Sequence, residues 1–423
     1  MRAIKATVAA ALLLVAAIRV DAATSEPGLT ADELVEMAIE ANPQIKSAKA
    51  RWESAEHSIK QNYAPADPVL SFANVDSATN GFTSASLHTL QVTQALQFPG
   101  KALLQADTSR RTAEVARLTY AAALRDLRAQ TETAFYQDLL DDALADVTAE
   151  RVANLKRVLQ VTQVAYSASQ VTQTDFISAE FDLAAAQQQE DQSRVAEQND
   201  RAQLNQLLYR PPDEPLPLDR RLMLKPIETP LDTLAERAIE VRQEVASAAL
   251  AERNSATALQ LARLEYVPDY QVGYFFDNYL INSGAPSPAR TQDHSVTIGF
   301  NLPIFFWLHQ REDVTRAGYD QEAARYDLGS IKSQTAAAVT MLYRSARLAY
   351  RTAMLYRNTL IPLAHQDFEV ALVAYSSSKV DFTTLTASLL RNYDAQNAYL
   401  QGANQFLAGK VALEQAIGEP IAK

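Results

Sequence analysis

The residues able to do chemistry are few and scattered. The chain carries five histidines and no cysteine. His57, His88, His294, His309 and His365 stand far apart, and none is at metal-ligand spacing from another or from a carboxylate pair. No glycine-rich phosphate loop, nucleophile elbow or His-Glu-x-x-His run occurs. The five methionines are dispersed, which gives soft metals nothing to gather on. Lack of cysteine excludes disulfides and thiolate metal ligands. The sequence therefore predicts no enzyme, no cofactor and no resident metal. The net charge of -11 argues against nucleic acid as a partner, because phosphate binding requires clustered Lys and Arg.

If no residue is placed for catalysis, the elements themselves carry the function. Residues 101–210 contain neither glycine nor proline and are rich in Ala, Gln, Leu, Arg and Glu, a strong helix signal. The polar cluster Ser167-Ala168-Ser169-Gln170-Val171-Thr172 breaks the run, because its side chains compete for backbone hydrogen bonds. The spacing predicts a helical hairpin over about 101–208, its first arm on the order of 100 Å long. A second hairpin is predicted over about 309–417, with its break at Ser376-Ser377-Ser378-Lys379. Its returning arm carries Leu385, Leu389, Asn392, Gln396, Tyr399, Ala403, Phe406, Lys410, Leu413 and Ile417, a sustained heptad. Pro362 removes a backbone donor and is expected to kink the outgoing arm.

Before each hairpin the texture changes to short strands, expected at about 68–76 and 86–98, then at 269–280 and 294–303. The first pair flanks the turn signal Thr79-Asn80-Gly81, the second a loop with Gly284, Pro286 and Pro288. In the last strand Val296, Ile298, Phe300 and Leu302 alternate with Ser295, Thr297, Gly299 and Asn301. Such strands suit a transmembrane β-barrel, with the first set facing lipid, although a half-buried soluble sheet alternates in the same way. Phe305-Phe306-Trp307 follows directly, as an interfacial aromatic belt or as core filler at a strand–helix junction.

The chain is written twice. Leu34, Ala38, Ile39 and Glu40 recur as Leu234, Ala238, Ile239 and Glu240; His88 recurs as His294, and Ala165-Tyr166-Ser167 as Ala374-Tyr375-Ser376. A period of roughly 200 residues is too long for a solenoid and indicates a duplicated half-molecule. The expected organisation is an export signal at 1–22, a first repeat at 23–210, a Pro-rich linker at 211–229 and a second repeat at 230–423. The signal reads from Arg2 and Lys5, the apolar stretch Ala6 to Ile18 and the small-residue site Val20-Asp21-Ala22. With no cysteine at the cleavage point, a lipoprotein anchor is excluded. Four strands cannot stand alone in lipid, because both sheet edges would expose unpaired backbone groups. A spanning sheet must therefore be one sector of a barrel shared between copies.

Duplicated halves of helix, two strands and a long helical hairpin resemble the TolC-type outer-membrane efflux protein family. The likeness runs from about Leu29 to Glu419. Ala38-Ile39-Glu40-Ala41-Asn42-Pro43-Gln44-Ile45 is similar to the family's opening helix. Gln94-Ala95-Leu96-Gln97-Phe98-Pro99-Gly100-Lys101 is similar to its strand–helix junction, repeated at Phe300-Asn301-Leu302-Pro303-Ile304-Phe305. The Phe-Pro-Gly-Lys form resembles members that accompany heavy-metal cation efflux pumps. The resemblance implies a mainly α protein with a transmembrane β sector. Three copies would share a twelve-stranded barrel continued by a long periplasmic α-helical barrel. It also implies a homotrimer in outer-membrane lipid of a Gram-negative bacterium, working with a periplasmic adaptor and an inner-membrane pump of the resistance-nodulation-division type. Its function would be the exit duct of a tripartite efflux or secretion system.

By the same resemblance, adaptor contacts fall on the tips, at Ser167, Ser169, Val171, Ser376, Ser378 and Val380. Gate candidates are Asp175, Tyr375, Lys379 and Asp381. The family's tip pattern has glycine where Ser169 and Ser378 stand. The acidic ring that some members build below the second tip falls on Thr384 and Ala387, so it is absent. The alternative function is a secreted coiled-coil scaffold or adhesion protein without channel activity, which would have similar helices but no need of strand pairs.

Overall fold

A computed structural model describes residues 28–75, 87–281 and 289–421. The export segment, the Thr79-Asn80-Gly81 turn and the loop with Gly284, Pro286 and Pro288 lie outside the described residues. Helix α1 (Ala31–Ala41) starts with a capping box: the Thr30 hydroxyl accepts from the Glu33 N–H, and the Glu33 carboxylate accepts from the Thr30 N–H at 2.8 Å. Helix α2 (Pro43–Tyr63) follows after one residue. Pro43 disfavours the helical conformation for Asn42, which sits at φ -68 and ψ 118 and caps α2 through Oδ1, 2.7 Å from the Gln44 nitrogen. The stretch Ala38 to Ile45, expected as one opening helix, is therefore two. The second repeat breaks at the equivalent Arg242, between α5 (Leu231–Val241) and α6 (Gln243–Leu264). Leu34, Ala38, Leu234 and Ala238, matched by the duplication, are all buried.

Strands β1 (Val69–Val75), β2 (Leu87–Leu96), β3 (Tyr270–Ile281) and β4 (Ala289–Phe300) form one antiparallel sheet in that order. The two repeats join at β2–β3, where Leu96 pairs with Tyr270 and Leu90 with Phe276. Among the described residues, β1 and β4 are left as open edges. The last strand was expected over 294–303, but it starts at Ala289 and ends at Phe300. Leu302 therefore lies beyond the strand. After Asn301, whose N–H still donates to the Asp269 carbonyl at 3.0 Å, Pro303 has no N–H with which to continue the ladder.

Two hairpins extend from this sheet. The first pairs α3 (Pro99–Ser167) with α4 (Gln173–Leu207). At 69 residues, α3 is about 100 Å long. The second consists of α7 (Gln310–Leu355), a π-turn over Tyr356–Leu360, α8 (Ile361–Ser376) and α9 (Phe382–Ile417). The π-turn lies immediately before Pro362, which cannot donate to the carbonyl four residues back. Along α9 the heptad positions Leu385, Leu389, Asn392, Ala403, Phe406, Leu413 and Ile417 are buried, while Gln396, Tyr399 and Lys410 are half-buried.

The core runs as separate clusters along the hairpins. One gathers Leu34, Phe135, Leu139 and Leu204; another, near the turns, gathers Val158, Phe368, Leu385 and Leu389. The Pro-rich segment between the repeats is tied down. Leu29 pairs with Leu218 in a parallel bridge, Leu216 is buried, and the Asn205 amide donates to the carbonyls of Pro212 and Glu214.

Candidate functional site

Strand register sorts the sheet into two chemically different faces. One presents Leu70 and Phe72 from β1, Leu90, Val92 and Leu96 from β2, Tyr270, Val272, Tyr274 and Phe276 from β3, and Val296, Ile298 and Phe300 from β4. Most of these large apolar side chains are exposed in the protomer. The opposite face carries Ser71, Thr89, Gln91, Thr93, Gln271, Asp277, Ser295 and Thr297. There the Thr89 hydroxyl donates to Asp277 at 2.6 Å. Gly299 leaves room on this face for Gln271, whose amide would lie 2.9 Å from an added Cβ. Apolar outside and polar inside is the pattern of a barrel wall between lipid and water.

The sheet is fastened to the helices by an ion pair whose lysine is buried. Lys101, in the first turn of α3, is 2% exposed, and its Nζ lies 3.0 Å from Asp269 and 3.6 Å from Glu265. Asp269 also accepts from the Phe98 N–H at 2.9 Å. One carboxylate thus holds the β2–α3 junction of the first repeat to the entry of β3 in the second. The sequence reading singled out Lys101 within Phe-Pro-Gly-Lys but had no signal for its partner, which is about 170 residues away.

At the far ends both hairpins turn alike. Ser169 (φ 59) donates its N–H to Tyr166 O and Gln170 to Ala165 O, each at 2.9 Å. Ser378 (φ 57) and Lys379 repeat this with Tyr375 O and Ala374 O at the same distances. These are Schellman turns with serine in the left-handed position that favours glycine. Ser167, Ser169, Ser376 and Ser378 are exposed. Val171 and Val380 are half-buried against the cluster near the turns, so they support the tips more than they face outward.

The gate candidates gather at these tips without bonding to one another. Asp175 closes a capping box on α4, accepting from the Thr172 N–H at 3.0 Å. Asp381 caps α9 through the Thr384 N–H at 2.8 Å, and its hydrogen bonds with Thr384 hold its carboxyl below the usual range. Tyr375 is 4% exposed, and its hydroxyl has no hydrogen-bond partner in the protomer. Burial pushes its pKa up, and the nearby Asp175 charge adds to this. Lys379 is exposed.

A further cluster went unread in the sequence. Asp138, 2% exposed, lies 3.5 Å from Arg201 Nε, and Asp142 lies 3.1 Å from Arg220. Burial, only partly offset by Arg201, raises the Asp138 pKa to about 6. Asp200, beside Asp141, is pushed up as well, by burial and by sharing a hydrogen bond with that second carboxyl. A period-based reading has no means of finding such a site, because its members come from α3, α4 and the inter-repeat segment.

Residues 234–419 match the family model of the outer membrane efflux proteins. That match falls within the second repeat. No curated protein sequence matches the chain. Solved structures share the fold across both repeats. The chain is similar to the outer-membrane channel OprN, with a TM-score of 0.78 at 18% identity, covering 92% of this chain and 89% of that one. The outer membrane protein VceC of Vibrio cholerae gives 0.76 at 15%, covering 93% and 97%. The CmeC outer membrane channel of Campylobacter jejuni gives 0.74 at 15%, covering 92% and 85%. The expected architecture, a four-stranded β sector carrying long helical hairpins in duplicate, is therefore the fold of this chain.

Proposed function

We propose that the protein is the outer-membrane exit duct of a tripartite efflux or secretion system. In this reading three copies close a twelve-stranded barrel, and the hairpins carry the duct through the periplasm toward an adaptor and an inner-membrane pump of the resistance-nodulation-division type. The observation that carries it is the sheet: one mainly apolar face, interrupted by Gln94 and His294, one mainly polar face and, among the described residues, two unpaired edges. An isolated sheet of this kind satisfies neither lipid nor water, and closure with further copies satisfies both. The duct takes its cargo from the pump, and the Phe98-Pro99-Gly100-Lys101 junction favours a heavy-metal cation pump as the source. The serine tips face the adaptor. Tyr375 and Asp175 approach each other, within or between protomers, when the periplasmic mouth is shut.

Two substitutions on adjacent residues of β4 provide the test. Ile298→Asp puts a charge on the lipid face, at a cost of up to about 2–4 kcal/mol at mid-membrane, whereas Thr297→Asp puts it in the lumen. Ile298→Asp should sharply lower the yield of trimer extracted from outer membranes and Thr297→Asp should not. Wild-type trimer should conduct ions in planar bilayers. Equal trimer yields, or a soluble non-conducting protein, would instead mark a secreted scaffold.

A further inference from the structure

The apolar face of the sheet is sharply bounded at one end only. At the end away from the helices, the row Asn74, His88, Asn278 and Gln292 closes it with polar side chains. Between that row and the helices, the apolar stretch of β3 runs from Tyr270 to Phe276. Seven residues give about 20 Å along the strand, or roughly 15 Å of height at the usual barrel tilt. A lipid-facing band is about 25 Å tall. Roughly 10 Å are missing, and the open side is the helix-proximal one.

That side is where the two repeats differ. In the first, β2 ends at Leu96 and α3 starts at Pro99. In the second, β4 ends at Phe300 and α7 starts only at Gln310. The added segment holds Leu302, Ile304, Phe305, Phe306, Trp307 and Leu308, all between 49% and 64% exposed. The structure thus removes one of the two readings of Phe305-Phe306-Trp307, since these rings are not core filler. They pack on each other, with Trp307 edge-on to Phe305 at 5.9 Å and to Phe306 at 5.3 Å. Charged side chains resume immediately afterwards, at Arg311 and Glu312. Large aromatic and aliphatic groups continuous with a lipid-facing surface, and ending at charge, suit the acyl-chain–headgroup boundary.

We propose that Leu302–Leu308 is a membrane-seated collar that dips into the inner leaflet of the outer membrane and completes the apolar band below the barrel. The partner is phospholipid. The collar rests on the reading of the sheet as a membrane-spanning sector. It gives one wedge per protomer, three around the duct, at the depth where the barrel is too short.

The chain has two tryptophans, and the other, Trp52, stacks on Tyr120 at 5.7 Å. Emission of wild-type trimer is compared with that of Trp307→Phe in vesicles of phosphatidylcholine brominated either near the headgroup or near the chain end. The difference signal belongs to Trp307. It should lose at least about half its intensity to bromine near the headgroup and less to bromine near the chain end, as expected of an interfacial ring. Ile298→Trp, placed in the Trp307→Phe background, reports on the sheet. Quenching of Ile298→Trp without quenching of Trp307 overturns the collar and leaves the barrel standing, with the segment covered by a neighbouring copy or turned to the lumen. If neither is quenched, the sheet does not span lipid, and the barrel and collar readings both fail.

Discussion

Pro99–Ser167 is one uninterrupted helix, whereas the equivalent arm of the second repeat is divided into α7 and α8 by a π-turn before Pro362. The arms also differ in what they bury. The first hairpin encloses charge, in Asp138 and Glu132. Both bury alanines, but the second, with Ala346, Ala349, Ala353, Ala364 and Ala371 among them, buries no charged side chain, and no residue of its π-turn is buried. The two tips nevertheless close with the same pair of hydrogen bonds. A duplicated unit has thus kept its ends while its shafts diverged. The first hairpin is a stiff rod with a titratable interior. The second is an alanine-packed arm with a discontinuity in its ladder, and that discontinuity falls between the packed stretch ending at Ala353 and the one resuming at Ala364.

The largest expected effect tests whether the buried charge of the first hairpin makes it sensitive to pH. Asp138 is raised from 3.8 to about 6. A raised carboxyl favours the folded state fully below its unfolded pKa, and that contribution is lost as pH rises through the folded value. A shift of this size, in which the opposing Arg201 charge is already included, corresponds to about 3 kcal/mol. Between pH 4 and pH 7 the wild-type trimer should lose thermal stability relative to Asp138→Asn, with the curves parallel above that window. Parallel curves throughout would show that Asp138 does not titrate and that the two shafts are electrostatically alike.

An effect of about 2 kcal/mol separates the tips by their tyrosines, which occupy matching positions. Tyr166 is 41% exposed and Tyr375 is buried. If Tyr375 donates to a neighbour's Asp175 in the shut mouth, the charge-assisted bond contributes about 1.5–3 kcal/mol. Tyr375→Phe should then raise the open probability of single channels, and Tyr166→Phe should leave it unchanged. A Tyr375→Phe trimer that is more stable and gates normally would mean the hydroxyl is merely an unsatisfied group. Asp175→Ala is a poorer probe, because it also removes the α4 cap.

The smallest effect tests the likeness of the turns. Ser169→Gly and Ser378→Gly each relieve a left-handed conformation costing about 1 kcal/mol. Both should slow proteolysis at the tips to a similar extent. A response at only one tip would mean that the other is held by contacts beyond its own turn.

The fold was legible because it is periodic. The Gly- and Pro-free run, the alternation around Ile298 and the recurrence of Leu34-x3-Ala38 at Leu234 each repeat a local rule many times. The break at Asn42 was missed because a single Pro43 was set against strong flanking helix signals. β4 was placed too late because its first residues, Ala289 to Asp293, do not alternate. The site was less legible. The serines at the tips could be located by their distance from the tyrosines. The Lys101–Asp269 pair and the carboxylates around Asp138 depend on contacts between distant segments, which no local pattern encodes.

The two unpaired edges of the sheet also govern inheritance of damage. If β1 of one copy meets β4 of another around a closed ring of three, as proposed, a subunit with one defective edge spoils the whole assembly that recruits it. In a cell making sound and defective chains together, the yield of intact barrels falls as the cube of the sound fraction. A lesion in β4 should therefore behave as dominant, whereas a lesion that prevents a chain from folding at all leaves the remaining copies free to assemble.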